Sequence, residues 1–328
     1  MMRSLYSGIS GLKNHQTRMD VIGNNIANVN TVGYKASRTV FQDIFSQTVK
    51  SGTANLLAYE RNIGGTNPTQ IGLGIKLATI DVLHTPAPIA RTDNPFDMMI
   101  EGDGFFILMD ENENYYYTRA GNFYLDDEGY LVSSHGYFVM GYNYPLGWED
   151  YIPQQEEPGE DGYEPAVNGY VLVDPDDEGL FGTLDKIRLR YVDTTGVVGV
   201  DDLGAPIVGA DQDLYGFSVG QDGSVSVIIN NIKETIGFIG ISMFTNAGGL
   251  EKAGNSLYRE SPSSGDALHT MALMDGAGRV LGGGLEMSNV DLATEFTDMI
   301  VTQRGFQANS RVITVSDTLL EELVNLKR

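Results

Sequence analysis

The sequence predicts a multidomain α+β protein in which N- and C-terminal helices pair as a coiled-coil-like stalk, with a mainly antiparallel β region between them. Apolar residues recur at every seventh position near both termini, as in helices that pack against partner helices. Between the termini, β-branched and aromatic runs alternate with glycine-containing turns, as in antiparallel sheets. An acidic segment interrupted by prolines lies inside the β region and predicts a small surface insertion.

The N-terminal helix is predicted over residues 3–28, about 37 Å at ~1.5 Å per residue. Its seven-residue stripe consists of Leu5, Leu12, Met19 and Ile26. The helix is expected to end in an asparagine-rich stretch, because asparagine and glycine favour turns and helix C-termini. This stretch contains Asn24, Asn25 and Asn28. Val40, Ile44 and Phe45 then recur at helical spacing, which leaves a short second helix open.

The C-terminal helix is expected to begin at Ser288 or Asn289, both favourable N-cap residues. Its seven-residue stripe consists of Leu292, Met299, Phe306, Ile313 and Leu320. The interleaved positions are polar, and they are Gln303, Ser310 and Asp317. A narrow stripe with polar flanks is expected to face partner helices on one side and water on the other.

The composition divides the chain into four predicted parts. The helical terminal domain comprises 1–63 and 286–328, and 64–90 forms a linker or extended arm. The β-rich domain comprises 91–145 and 181–285, and 146–180 forms the acidic surface insertion. Glycines near the two domain junctions are interpreted either as hinges or as simple connections, and the sequence does not favour one interpretation over the other. These glycines are Gly64, Gly65, Gly72, Gly74, Gly282, Gly283 and Gly284.

Turn signals predict hairpins within the β region. The strand over 104–109 is followed by a polar turn and a return strand over 115–118. Gly129 is expected to supply the positive φ of a tight turn, and 220–223 predicts another hairpin.

The acidic insertion has eleven acidic residues and no lysine or arginine between Glu149 and Glu178. Like charges repel, so the segment is expected to be a solvated surface. Two alternatives remain: a calcium site in 174–178, and a binding module that captures a basic partner through 149–178. The calcium ligands would be Asp174, Asp176, Asp177 and Glu178, although they lack the spacing of a calcium-binding loop.

The sequence contains no recognisable catalytic constellation. The chain has no cysteine, its four histidines are scattered, and it has no Gly-x-Ser-x-Gly element. The net charge of −23 disfavours nucleic acid and anionic membrane surfaces as partners. No apolar run is long enough for membrane insertion, and no cleavable secretory signal is recognised. We therefore expect neither an enzyme nor a cofactor.

Several longer motifs carry a resemblance to a known family. Residues 22–28 read Ile-Gly-Asn-Asn-Ile-Ala-Asn, and 31–35 read Thr-Val-Gly-Tyr-Lys. Residues 102–106 read Gly-Asp-Gly-Phe-Phe, and 117–123 read Tyr-Thr-Arg-Ala-Gly-Asn-Phe. Residues 288–296 read Ser-Asn-Val-Asp-Leu-Ala-Thr-Glu-Phe, and 303–310 read Gln-Arg-Gly-Phe-Gln-Ala-Asn-Ser. Together with the 64–74 linker, these stretches resemble the bacterial flagellar rod and hook (axial) proteins.

The resemblance implies a structural subunit without catalytic activity. It favours a flagellar hook subunit that assembles into a helical tube and transmits torque from rod to filament, with a distal rod subunit as the alternative. The implied partners are further copies of the chain in a helical homopolymer, the flagellar rod, hook cap and hook–filament junction proteins, and the export apparatus. The implied location is the flagellum, outside the cell after type III export. The two apolar stripes and the three asparagines are the expected assembly interface.

Overall fold

The computed structural model describes residues 2–53, 65–126, 129–143, 184–187, 189, 216–229 and 232–326. The chain forms two compact units. The helical unit comprises Met1–Thr31, Lys35–Thr85 and Ser288–Arg328, and the sheet unit comprises Val32–Tyr34 and Pro86–Met287. Gly64, the acidic insertion 146–180 and the calcium and basic-partner alternatives within it lie outside the described residues.

The helical unit contains both long helices and two pairs of antiparallel strands. Its elements are α1 (Met2–Ala27), β1 (Ser37–Asp43), β2 (Ser46–Lys50), β3 (Thr69–Gly72), β4 (Ile75–Val82) and α2 (Leu292–Asn325). β1 pairs with β4, and β2 pairs with β3. The predicted N-terminal helix is therefore confirmed to within one residue at each end. The short second helix is wrong, because its apolar residues lie on or between β1 and β2.

The start of α2 differs by a few residues from the expected N-cap. Asp291 is the N-cap residue, and its side chain accepts a hydrogen bond from the backbone N–H of Ala293. The side chain of Thr294 also donates to Asp291, at 2.6 Å. These hydrogen bonds lower the pKa of Asp291 below its ordinary value. A carboxylate here also suits the positive end of the helix dipole.

The sheet unit consists of short strands whose recorded pairings are all antiparallel. They are β5 (Ile89–Arg91), β6 (Met98–Glu101), β7 (Phe105–Met109), β8 (Tyr115–Thr118), β9 (Phe123–Leu125), β10 (Leu131–Ser133), β11 (Phe138–Asn143), β12 (Asp185–Lys186), β13 (Phe217–Val219), β14 (Ser224–Ile229), β15 (Ile232–Met243), β16 (Glu251–Gly254), β17 (Leu257–Arg259), β18 (Leu268–Met271), β19 (Arg279–Gly282) and β20 (Gly284–Glu286). This confirms the predicted mainly antiparallel β region between two terminal helices.

The core of the sheet unit lies around β7, which pairs with β8, β11 and β15. Phe106 on β7 is fully buried and meets Phe123 edge to face, with ring centroids 5.2 Å apart. The predicted turn at Gly129 is confirmed, since its φ is 83° and its N–H donates to the carbonyl oxygen of Asp126. No helix among the described residues is both long and apolar enough to cross a membrane.

Candidate assembly interface

The two terminal helices pack against each other along an antiparallel seam. The hydroxyls of Ser4 and Ser316 lie 3.4 Å apart, near the N-terminus of α1 and the C-terminus of α2. Near the opposite ends of the helices, Asn25 donates to Glu295 at 3.0 Å. Between these points, the guanidinium of Arg18 donates to the carboxylate of Asp298, also at 3.0 Å. Residue numbers rise along one helix as they fall along the other, so the two ends of the chain run in opposite directions.

Glycines bring the backbones of the two helices close together. A Cβ atom on Gly11 would lie 2.5 Å from the side-chain nitrogen of Asn309, and one on Gly305 would lie 2.8 Å from His15. A Cβ atom on Gly8 would be less crowded, at 3.2 Å from Ile313. Small residues let helices approach more closely than leucine-rich seams do. The two helices therefore meet partly through these glycines, and not through the apolar stripes alone.

The predicted stripe residues lie beside this seam. Leu5, Leu12, Met19, Ile26, Met299, Phe306, Ile313 and Leu320 are partly buried, and Leu292 is exposed. The most deeply buried residues of α2 are Thr302 and Ser316, which follow Met299 and Ile313 by three positions. Gln303 and Asp317, two of the polar positions expected beside the stripe, are exposed.

Asn25 connects α1, β1 and α2. Its side-chain nitrogen donates to the carbonyl oxygen of Ser37 at 2.9 Å and to Glu295. Its side-chain oxygen accepts from the backbone N–H of Ser37 at 3.0 Å. Burial raises the pKa of Glu295 above its ordinary value, and the hydrogen bond from Asn25 acts in the opposite direction. Asn25 thus uses its polar atoms within the subunit.

Asn289 makes a similar set of hydrogen bonds just before α2. Its side-chain oxygen accepts from the backbone N–H of Ala36 at 2.7 Å, and its nitrogen donates to the carbonyl of Leu83 and the hydroxyl of Thr85, each at 2.8 Å. The fully buried ammonium of Lys35 donates to the backbone carbonyl of Thr85 at 2.8 Å. Sequence reasoning offered Asn289 only as a candidate N-cap and assigned no role to Lys35, although both lie within the motifs that carry the family resemblance.

The other two predicted asparagines close the C-terminal end of α1. The side chain of Asn28 donates to the backbone carbonyl of Asn24 at 2.9 Å, and the hydroxyl of Thr31 donates to Asn28 at 3.1 Å. These contacts cap the last turn of the helix. For all three asparagines and the apolar stripes, a role between subunits stays a prediction.

The predicted hinge glycines have different surroundings. Gly74 has a φ of 123°, and a Cβ atom there would collide with the hydroxyl of Ser10. Gly72 and Gly283 have open space at the Cβ position. Close approach to α1 and a positive φ explain the glycine at 74. Hinge motion at Gly65, Gly72, Gly282, Gly283 and Gly284 stays a prediction.

The sheet unit contains a buried ion pair between Arg119 and Glu286. Their closest side-chain atoms are 3.6 Å apart, and the side chains are only 3% and 1% exposed. Glu286 also accepts hydrogen bonds from the backbone N–H groups of Gly33 and Ala87, through its carbonyl and carboxylate oxygens respectively. Burial lowers the pKa of Arg119, whereas the charge of Glu286 acts in the opposite direction. Through these contacts Glu286 joins the segments at Gly33, Ala87 and Arg119, which are distant from one another in sequence.

The described residues contain no group of three or more His, Cys, Asp or Glu side chains placed to hold a metal ion. The polar side chains described above, at Asn25, Asn289 and Glu286, form hydrogen bonds to other segments of the same chain. The fold and this seam define a class of protein whose two chain ends pair as antiparallel helices.

The chain belongs to the flagellar rod and hook protein family, as its sequence motifs indicated. Residues 5–35 match the profile described as flagella basal body rod protein. Residues 99–227 match the flagellar hook protein FlgE/F/G D1 domain, and 281–326 match the flagellar basal body rod FlgEFG protein C-terminal region. The relatives are structural flagellar proteins, so the chain is a structural protein and not an enzyme.

Individual relatives include both rod and hook proteins. The chain is 43% identical over 330 residues to the flagellar basal-body rod protein FlgG of Bacillus subtilis, covering 100% of both chains. It is 34% identical over 446 residues to the flagellar hook protein FlgE of Borreliella burgdorferi, again covering 100% of both. The solved Helicobacter pylori flagellar hook protein FlgE2 aligns with a TM-score of 0.36 at 12% identity, covering 62% of this chain and 100% of that chain.

Proposed function

We propose that this chain is a rod subunit of the flagellar axis that polymerises into a helical tube through its terminal helices. The observation that carries the rod assignment is the length of the alignments. The similarity to FlgG of Bacillus subtilis extends over 330 residues, nearly the 328 of this chain. The alignment with the Borreliella hook protein exceeds this chain by more than a third, so that relative contains additional sequence.

A hook subunit is the second candidate, and it was the first choice from the sequence motifs. The Borreliella hook protein supports it, because that relative matches the whole chain at 34% identity. In either place the subunit would transmit torque along the axis. Its partners would be further copies of itself and the adjoining rod, hook cap or junction proteins, after passage through the export apparatus to the flagellum outside the cell.

Polymerisation is supported by the apolar surface of the helical unit. Phe296, Ile300 and Val301 on α2 are each about half exposed, as is Ile9 on α1, and Tyr6 on α1 is about two-thirds exposed. Exposed apolar surface is costly at ~25 cal/mol per Å², and contact between subunits would remove it from water. A contact between unlike surfaces that does not close on itself produces an open helical filament.

Electron microscopy of the concentrated full-length protein tests this function. We expect tubes, which should be straight for a rod subunit and curved for a hook subunit. Ile313→Asp should prevent assembly, since Ile313 lies beside Gly8 in the seam, whereas Thr314→Asp at an exposed neighbouring position should assemble. A wild-type protein that stays monomeric at every concentration would contradict the proposal.

A further inference from the structure

Charge is distributed very unevenly between the two units of the chain. The helical unit has 12 lysine and arginine residues against 10 aspartate and glutamate residues, which gives it a net charge of +2. The sheet unit has 9 basic residues against 34 acidic ones, which gives it a net charge of −25. The excess negative charge of the whole chain, −23, therefore belongs entirely to the sheet unit.

The acidic insertion accounts for less than half of this charge. Without its eleven acidic residues, the sheet unit would still have a net charge of −14. Exposed carboxylates also occur on the described part of the sheet unit, in turns that are distant in sequence. They include Asp103, Glu111, Glu113 and Asp266. The negative charge is therefore a property of the sheet unit as a whole, and not of the insertion alone.

Several cations of the sheet unit already face carboxylates of the same unit. The pairs are Arg119 with Glu286, Arg259 with Glu251, and Arg279 with Glu101, whose closest atoms lie 3.6, 3.3 and 2.6 Å apart. Each of these pairs cancels its own charges and leaves the excess of carboxylates unchanged. When two copies of the chain come together, the surfaces of their sheet units therefore carry charge of the same sign and repel each other.

Salt determines the distance over which this repulsion acts. The Debye length is about 30 Å at an ionic strength of 0.01 M and about 8 Å at 0.15 M. At the lower ionic strength, charges throughout two neighbouring sheet units repel one another, whereas at the higher one only charges on facing surfaces do. The helical unit has a net charge close to zero, so its contribution to this salt dependence is small.

We propose that repulsion between the sheet units of neighbouring copies opposes polymerisation, so that ionic strength controls the assembly of this chain. The inference rests on the proposed polymer and specifies what regulates its formation. Screening by salt lowers the free-energy cost of bringing two sheet units together. The polymer is therefore expected to form readily at an ionic strength of about 0.15 M and to dissociate on dilution into about 0.01 M salt.

Sedimentation of the full-length protein measures the lowest concentration at which polymer forms. This critical concentration should be on the order of tenfold higher at about 0.01 M than at about 0.15 M sodium chloride. Sodium sulfate at the same ionic strength should act like sodium chloride, because screening depends on ionic strength. A clear preference for sulfate would show that exclusion of salt from apolar surface drives assembly instead, and it would overturn the inference.

Two variants at the same exposed positions separate charge from loss of the side chains. One combines Glu111→Gln, Glu113→Gln and Asp266→Asn, and the other replaces the same three residues by lysine. The net charge of the sheet unit becomes −22 in the first variant and −19 in the second. Because repulsion scales with the square of the charge, the tenfold salt dependence should fall to about sixfold and about fourfold respectively.

The outcomes distinguish this inference from the proposed function. A polymer whose critical concentration does not change with ionic strength would overturn the inference alone, as would an equal salt dependence in the wild type and both variants. A wild-type chain that forms no polymer at either ionic strength would overturn the proposed function, and this inference with it. Near-UV circular dichroism that matches the wild type shows that each variant is folded.

Discussion

Replacing Glu286 by alanine should strongly destabilise the sheet unit. The change removes the carboxylate that lies 3.6 Å from the guanidinium of Arg119, and both side chains are almost completely inaccessible to water. The carboxylate also accepts a hydrogen bond from the backbone N–H of Ala87 at 3.2 Å, and in the variant this N–H loses its acceptor. The variant therefore retains a buried positive charge without its counter-charge.

The expected magnitude follows from burial. Removing one partner of a buried ion pair costs about 3–5 kcal/mol of unfolding free energy. The matched control is Glu101→Ala, which breaks the pair between Glu101 on β6 and Arg279 on β19. That pair has better geometry, at 2.6 Å, but its side chains are 45% and 46% exposed. Exposed pairs contribute about 0–1 kcal/mol, so the control should lose far less stability.

Urea unfolding of the two variants and the wild type, followed by near-UV circular dichroism of the buried tyrosines, measures this difference. A third variant that replaces both partners, Arg119→Met with Glu286→Leu, should be more stable than Glu286→Ala, because no buried charge remains. Equal losses for Glu286→Ala and Glu101→Ala would refute the reasoning that burial decides the strength of these pairs.

Three further predictions concern the helices and the pH dependence. Gly11→Leu should weaken helix pairing by about 1–3 kcal/mol in far-UV circular dichroism melts, whereas Gly23→Ala, where a Cβ atom has open space, should stabilise α1 by about 0.5–1 kcal/mol. In the same assay, Asn25→Ala should lower the stability of the helical unit by about 2–3 kcal/mol, because it removes three hydrogen bonds. Asn24→Ala, at an exposed position, should lower it by under about 0.5 kcal/mol. Burial lowers the folded-state pKa of His269 below its unfolded value of 6.5, so its contribution to stability should be present above that pH and be lost as the pH falls towards about 5. His269→Gln should reduce the difference between the urea midpoint measured above pH 6.5 and the urea midpoint measured near pH 5.

Each of these predictions has an outcome that would contradict it. Unchanged melting of Gly11→Leu would mean that the helices do not approach closely at that point. Similar losses for Asn25 and Asn24 would remove the distinction between the two asparagines. An undiminished pH dependence in His269→Gln would show that another group is responsible.

The sequence predicted the elements whose determinants are local. The bounds of α1 follow from apolar periodicity and the asparagine-rich end, and the turn at Gly129 follows from the positive φ that glycine allows. The spacing of Val40 and Ile44 leaves a short helix open in this region. Pairing of β1 with β4 instead makes residues 37–43 a strand. Such pairing depends on residues distant in sequence, which periodicity does not reveal.

The contact between the two terminal helices was only partly predictable for the same reason. The seven-residue stripe predicted that both terminal helices pair, but the glycines at 8, 11 and 305 set the side on which they meet within the subunit. The roles of Lys35 and Asn289 depend on backbone carbonyls at Leu83 and Thr85, which no local pattern identifies.

A helical reconstruction of the assembled protein by electron cryomicroscopy tests the central claim most directly. We expect a tube whose wall contains α1 and α2 as an antiparallel pair, in contact with the terminal helices of neighbouring copies. A tube whose subunits touch only through the sheet unit, with the terminal helices outside the wall, would contradict it.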